Sequence, residues 1–177
     1  ITNDDAWKVL PFHAYGSEYL PNLKRCPRTA AALALIPGMT SAMFSVLRGP
    51  KRVPPHRGPF NGVLRYHLAL RVPGDPARCR IRVGTEWRSW EERKSLIFDD
   101  TLEHEVVDEL PGARVVLFVD FLRPAPPPLW RMNREMVLRI GSSPAIRALL
   151  GNLARLSVQS DAPLARLAPD RKAQAAG

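Results

Sequence analysis

Cysteine is scarce in this 177-residue chain: the only two, Cys26 and Cys79, stand far apart without CxxC or CxxH spacing. That argues against both a zinc cluster and a disulfide framework and makes a reducing, cytoplasmic setting the expectation. Negative charge is also short, with 17 Asp and Glu against 26 Lys and Arg, and the formal charge is +9. Such a balance attracts anions without distinguishing nucleic acid, lipid headgroup or small acidic molecule. Aromatic residues make up 7% of the chain and form no stacking array or recognisable nucleic-acid motif, so no nucleic-acid partner is expected. Long hydrophobic runs are missing. The most apolar stretch, Ala30 to Ile36, stops at Pro37-Gly38, far short of a bilayer span, and no charged stretch leads into a signal-like apolar core. There is no internal repeat. Because the chain opens on Ile1 rather than Met, a preceding native segment is expected.

What is present suffices for one sizeable core, since 45% of the residues are hydrophobic. Short strands with turn signals between them are predicted at Ala42–Arg48, Gly62–Val72, Arg80–Val83, Lys94–Phe98, Glu103–Asp108 and Arg114–Phe121. This pattern, without βαβ alternation, argues for a mainly β sandwich or barrel. Asp108-Glu109-Leu110-Pro111-Gly112 reads as a hairpin connection that sets the strand of His104 beside the strand of Arg114. Four segments are expected: a lead-in with a short helix after Pro27 over 1–40, a β core over 41–123, a polyproline spacer with basic amphipathic helices over 124–157, and a flexible tail over 158–177.

Chemistry concentrates in Pro54-Pro55-His56-Arg57-Gly58-Pro59, Arg65-Tyr66-His67 and Phe98-Asp99-Asp100-Thr101-Leu102-Glu103-His104, closing on Arg114. Two separated histidines followed by an arginine are what a non-haem iron site needs: imidazoles for the metal and a guanidinium for an anionic cosubstrate. Residues two apart on a strand share a face, so Val63, Arg65, His67 and Ala69 face one way and Leu64, Tyr66, Leu68 and Leu70 the other. The second set packs, and the first meets a site. Arginine and histidine in mid-strand are costly to bury without a compensating group. A dicarboxylate cosubstrate would compensate them; a protein carboxylate such as Asp99 or Asp120 would do the same and leave His67 as a core residue. Asp99 and Asp100 stand ready to orient an imidazole through its second nitrogen.

With Cys26-Pro27-Arg28-Thr29, Ile36-Pro37-Gly38, Ala42-Met43-Phe44-Ser45, Leu64-Arg65-Tyr66-His67-Leu68 and Trp90-Glu91-Glu92, these motifs resemble the aspartyl/asparaginyl β-hydroxylase family over about residues 21–123. The resemblance implies a double-stranded β-helix (jelly roll, cupin-like) with flanking N-terminal and C-terminal helices. It also implies an Fe(II)- and 2-oxoglutarate-dependent dioxygenase that hydroxylates an unactivated, β-type carbon while 2-oxoglutarate and dioxygen become succinate and carbon dioxide. Carried over by position, His56 and His104 match the iron ligands. Arg114 with Ser45 matches the pair holding the distal carboxylate of 2-oxoglutarate, and Arg65 and His67 match residues near its chelating end.

Two departures bear on substrate and metal. Where the wider oxygenase pattern places a carboxylate two residues after the first histidine, this chain has Gly58; Glu105 points away from His104 and is a poor substitute. At Val63, two before Arg65, family members acting on aspartyl residues carry a second arginine that grips the substrate carboxylate. An aspartyl- or asparaginyl-type substrate therefore stands beside a lipid acyl chain, taken at an anionic membrane face by the basic C-terminal helices, and beside a non-catalytic anion-binding module on the same barrel.

Overall fold

The computed structural model describes residues 6–144 and 146–148. Among the described residues the main elements are eight strands and three α-helices, in the order β1 (Trp7–Ala14), β2 (Ser17–Glu18), α1 (Leu20–Arg25), α2 (Pro27–Leu33), β3 (Met39–His56), β4 (Val63–Arg71), β5 (Cys79–Val83), β6 (Glu86–Ser89), β7 (Ser95–Phe98), β8 (His104–Leu122) and α3 (Pro127–Gly141), with a short 3-10 turn at Pro76–Arg78 before β5. All the strand pairings are antiparallel.

The architecture follows from two long strands that bend. β3 and β8 pair along their whole lengths, from Met39↔Phe121 to His56↔His104. Their outer halves join β1 and β2 on one side and β4 and β7 on the other; the N-terminal half of β8 turns to pair with β5, and β5 with β6. Two layers result, sharing one core of Leu47, Ala69 and Val116 from the first and Val53, Ile81 and Val106 from the second. The fold is a jelly roll.

Between Gly49↔Gly112 and Lys51↔Asp108, β3 advances two residues while β8 advances four. Glu109-Leu110-Pro111 is therefore the extra length of a bulge that turns the corner, and not the hairpin expected from its composition. His104 and Arg114 lie on one strand, and Gly49-Pro50 interrupts nothing. Gly112 adopts a φ of +114°, where a side chain is strained, and a Cβ at Gly49 would collide with the Leu110 carbonyl oxygen.

Other expectations shift as well. The first forty residues include β1, a full member of the sheet beside β3, and not only a lead-in and a helix. The face of Arg65 and His67 is the interior one, while Tyr66 on the other face packs on the outer cluster of Phe12, Leu33, Ala42 and Val119 under α1 and α2. Short helices of this kind gain their stability from such packing. α3 sets Val137 onto Val63 and Leu122. The second helical stretch expected over 144–156 and the tail over 158–177 fall, but for 144 and 146–148, outside the described residues.

Replacing Gly49 with Ala should destabilise the fold by about 1–3 kcal/mol, because a methyl group is forced against backbone that the corner holds in place. Urea unfolding should show a lower midpoint with an unchanged slope; an unmoved midpoint would mean that the corner yields freely.

Candidate functional site

All six residues singled out from the sequence, Ser45, His56, Arg65, His67, His104 and Arg114, line one interior cavity of about 60 Å³, together with Trp7, Ile81, Phe98 and Phe118. Strand register brings them there. His56 ends β3 and His104 begins β8 as direct cross-strand partners, and their ring centroids lie 4.1 Å apart.

Both rings are tethered alike. Nδ1 of His56 lies 2.9 Å from the Pro54 carbonyl oxygen, and Nδ1 of His104 lies 2.9 Å from that of Leu102. A carbonyl can only accept, so each Nδ1 carries the proton and each Nε2 keeps a lone pair for a metal. The aspartates expected to orient an imidazole do not: backbone carbonyls two residues upstream have that task. Burial holds His104 below its ordinary pKa, favouring the neutral, ligating form. Among the described residues no group of three His, Cys, Asp or Glu is placed to hold a metal ion.

Gly58 accounts for the missing carboxylate. A Cβ there would collide with the carboxylate of Asp100, whose main-chain oxygen also accepts from Gly58 N at 2.7 Å. The space is already taken by an acid that is 2% exposed and pairs with Arg65 at 2.9 Å. Glu105 pairs with Arg82 at 2.6 Å, and Asp99 with Arg123 at 2.6 Å.

Deeper in the cavity are positive and neutral donors without partners. Arg114 is 4% exposed; its Nε and Nη1 have no hydrogen-bond partner, and its guanidinium carbon lies 3.9 Å from the centre of the Trp90 ring. Burial lowers its pKa, opposed by the neighbouring Cys79 thiol, which hydrogen-bonds it, and by the charge of buried Asp108; the thiol is itself pushed up to about 12, mainly by burial. Neither ring nitrogen of buried His67 has a partner; burial, reinforced by the Arg114 and Arg65 charges, drives its pKa well below normal. Ser45 Oγ accepts from Trp7 Nε1 at 2.9 Å, which leaves its own proton free to donate. A buried guanidinium, an imidazole and a hydroxyl, all with unused capacity, match an anion that reaches in from the histidine pair.

Arg65 differs from Arg114. Its Nε donates to Asp120 at 2.9 Å and its Nη2 reaches Asp120 at 3.1 Å and Asp100 at 2.9 Å, so the protein itself compensates this charge. Val63 does not face the site; it lies under α3 against Val137. Trp7 was not singled out in the sequence, and Cys79, Trp90 and Phe98 were named there without a role at the site. Only three-dimensional proximity relates them to the site, although the apolar alternation around Phe98 was a usable cue.

The family described as aspartyl/asparaginyl beta-hydroxylase matches residues 1–124. The chain belongs to this hydroxylase family. One relative, an ornithine lipid ester-linked acyl 2-hydroxylase of Rhizobium tropici, is 43% identical over 152 residues, covering 86% of this chain and 54% of that protein. Another, the aspartyl/asparaginyl beta-hydroxylase of Mus musculus, is 38% identical over 132 residues, covering 72% of this chain and 18% of that protein. The chain thus spans about half the length of the first and less than a fifth of the second. A cupin domain of a transcriptional regulator from Enterobacter cloacae is similar at a TM-score of 0.45 and 10% identity, over 68% of this chain and all of that one.

Because His67 is neutral when folded and takes up a proton more readily when unfolded, the metal-free protein should lose stability as pH falls below about 6.5, by up to about 1.4 kcal/mol per pH unit. Denaturant unfolding of wild type and His67→Gln from pH 8 to pH 5 checks this. The variant should show the shallower loss, and parallel curves would rule out a buried neutral His67.

Proposed function

We propose that the chain carries the active site of an Fe(II)- and 2-oxoglutarate-dependent dioxygenase that hydroxylates an acyl chain of a lipid. The observation that carries the iron and cosubstrate assignment is the pairing of two free Nε2 atoms with a buried Arg114 whose Nε and Nη1 have no partner, in one cavity. His56 and His104 would hold the iron, neutral imidazoles being suited to Fe(II). When bound, the iron and 2-oxoglutarate supply the oxidation, coupling dioxygen reduction and cosubstrate decarboxylation to hydroxylation of a carbon–hydrogen bond.

The chain's own residues bind and orient. Arg114 compensates the distal carboxylate of 2-oxoglutarate, with Ser45 adding a hydroxyl donor, and the Trp90 ring beneath the guanidinium fixes its plane. His67 offers a neutral nitrogen to the keto-acid end. Arg65, held by Asp120 and Asp100, keeps a positive potential nearby without having to move. Phe98, Ile81, Val106 and Phe118 exclude water from the reacting end.

For the substrate, the support is the acyl hydroxylase relative and Val63, which lies under α3 at the position where family members acting on aspartyl residues carry a second arginine. Hydroxylation of an aspartyl or asparaginyl group is the second reading, favoured by the mouse relative. No described helix is long and apolar enough to cross a membrane. Contact with an anionic lipid surface would come from the +9 charge and the exposed Leu129, Met132 and Met136 on α3.

His56→Ala and His104→Ala should each abolish iron-dependent succinate formation, and Arg114→Ala should raise the 2-oxoglutarate requirement about 10- to 100-fold, as expected for losing a charged donor. Succinate assays with added Fe(II) and ascorbate test this, and mass spectrometry of lipid extracts looks for one added oxygen. Full succinate formation by the double alanine variant contradicts the metal assignment. Complete absence of turnover in the wild type points to a pure anion binder, and an added oxygen on peptides alone selects the second reading.

A further inference from the structure

Resting on the lipid reading above, we propose that the acyl chain is received in the open slot between strands β6 and β7. The roll is not closed there. Within the described residues β7 pairs only with β4, and β6 only with β5, so each layer presents an unpaired edge on this side. Between these edges lies a groove of about 520 Å³ whose apolar lining is Ile81, Val83, Leu96, Ile97, Phe98 and Leu102.

Three observations make this groove a substrate channel and not merely an uncovered apolar face. Its inner wall is the wall of the site: Ile81 and Phe98 line both the groove and the histidine cavity, and the Phe98 ring lies 5.8 Å from that of His104. Val83 is the direct cross-strand partner of His104, so its side chain reaches the groove on the same face from which the imidazole enters the site. At the outer lip, Ile97 is 60% and Leu102 is 49% exposed, apolar side chains that gain only when something apolar covers them.

The rim suits a lipid headgroup. Arg88, the cross-strand partner of Ile81, lines the mouth in an exposed ion pair with Glu86 at 2.6 Å, an interaction worth little in water and readily exchanged for an anionic headgroup. The chain's net charge favours approach to an anionic surface. An acyl chain entering past Ile97 and Leu102 runs along Leu96, Val83 and Ile81, with Thr85, Glu86, Arg88 and Asp99 also on the lining, and reaches Phe98, which points its near-head carbons at the ligand pair.

The test measures binding of 1-acyl lysophosphatidylglycerols of stepped chain length, below their micellar concentrations, by calorimetry. Wild-type affinity should rise roughly fourfold per methylene until the groove is filled. Ile97→Glu and Leu102→Gln, both exposed and so tolerable to the fold, should cut long-chain affinity tenfold or more. Leu35→Glu, equally apolar and 83% exposed but remote from the groove, should not. Calorimetry of 2-oxoglutarate with the iron-loaded variants shows that the site itself is intact. Long-chain binding that ignores both groove substitutions, or shows no chain-length dependence, overturns the groove. If the wild type nevertheless adds oxygen to an acyl lipid, the lipid reading stands without it. If groove substitutions weaken binding but no acyl lipid gains an oxygen, the groove stands and the lipid hydroxylase reading falls. Sedimentation showing a dimer that Ile97→Glu dissociates would give the slot to a second copy of the chain and overturn the proposal.

Discussion

Arg114 is a charge in the middle of the molecule, answered within the protein by the Cys79 thiol and the charge of buried Asp108, while its Nε and Nη1 have no hydrogen-bond partner. Removing such a group from water costs several kcal/mol unless something of opposite sign is brought to it. The jelly roll tolerates it by packing it between the Trp90 ring and Cys79 and by leaving a cavity on its free side. Its two unpartnered nitrogens suit the external carboxylate of the diacid proposed above. Arg65, one strand away, shows the contrast: the same side chain in the same layer is answered by Asp120 and Asp100 and asks for nothing.

The histidine pair depends on that cavity and on one feature of chain geometry. Because β3 and β8 stay paired around the corner, the last residue of one and the first of the other finish opposite each other, and their carbonyl tethers leave both Nε2 atoms bare. The bulge at Glu109-Leu110-Pro111 thus does more than bend a strand: it carries His104 into the second layer while Arg114 stays in the first, facing the same interior. Asp100, fitted against Gly58, occupies the space from which a third protein ligand would have come.

Much of this was legible in the chain of letters. Two-residue alternation put Arg65 and His67 on one face, and the six residues read as a site do line one cavity. The corner was not legible, because Leu110-Pro111-Gly112 satisfies the chemistry of a turn as well as that of a bulge, and only pairing with Gly49 decides between them. The state of each charged group was also out of reach: Arg65 was read with two partners open to it, and the choice of Asp120 and Asp100 follows from strand register. The roles of Trp7, Trp90 and Phe98 as walls of the site were not legible, since a residue that walls a cavity differs from any other core aromatic only by what stands opposite. The orienting groups of both imidazoles are main-chain oxygens, which no residue type announces.

The most direct test of the account is anomalous diffraction at the iron edge from crystals of the iron-loaded chain grown with 2-oxoglutarate in the absence of oxygen. The account predicts one iron bonded to Nε2 of both His56 and His104 at roughly 2.0–2.2 Å, as for first-row metals on imidazole, with a carboxylate of the cosubstrate on Arg114. Iron elsewhere, or a diacid that leaves the Arg114 guanidinium without a partner, would contradict it.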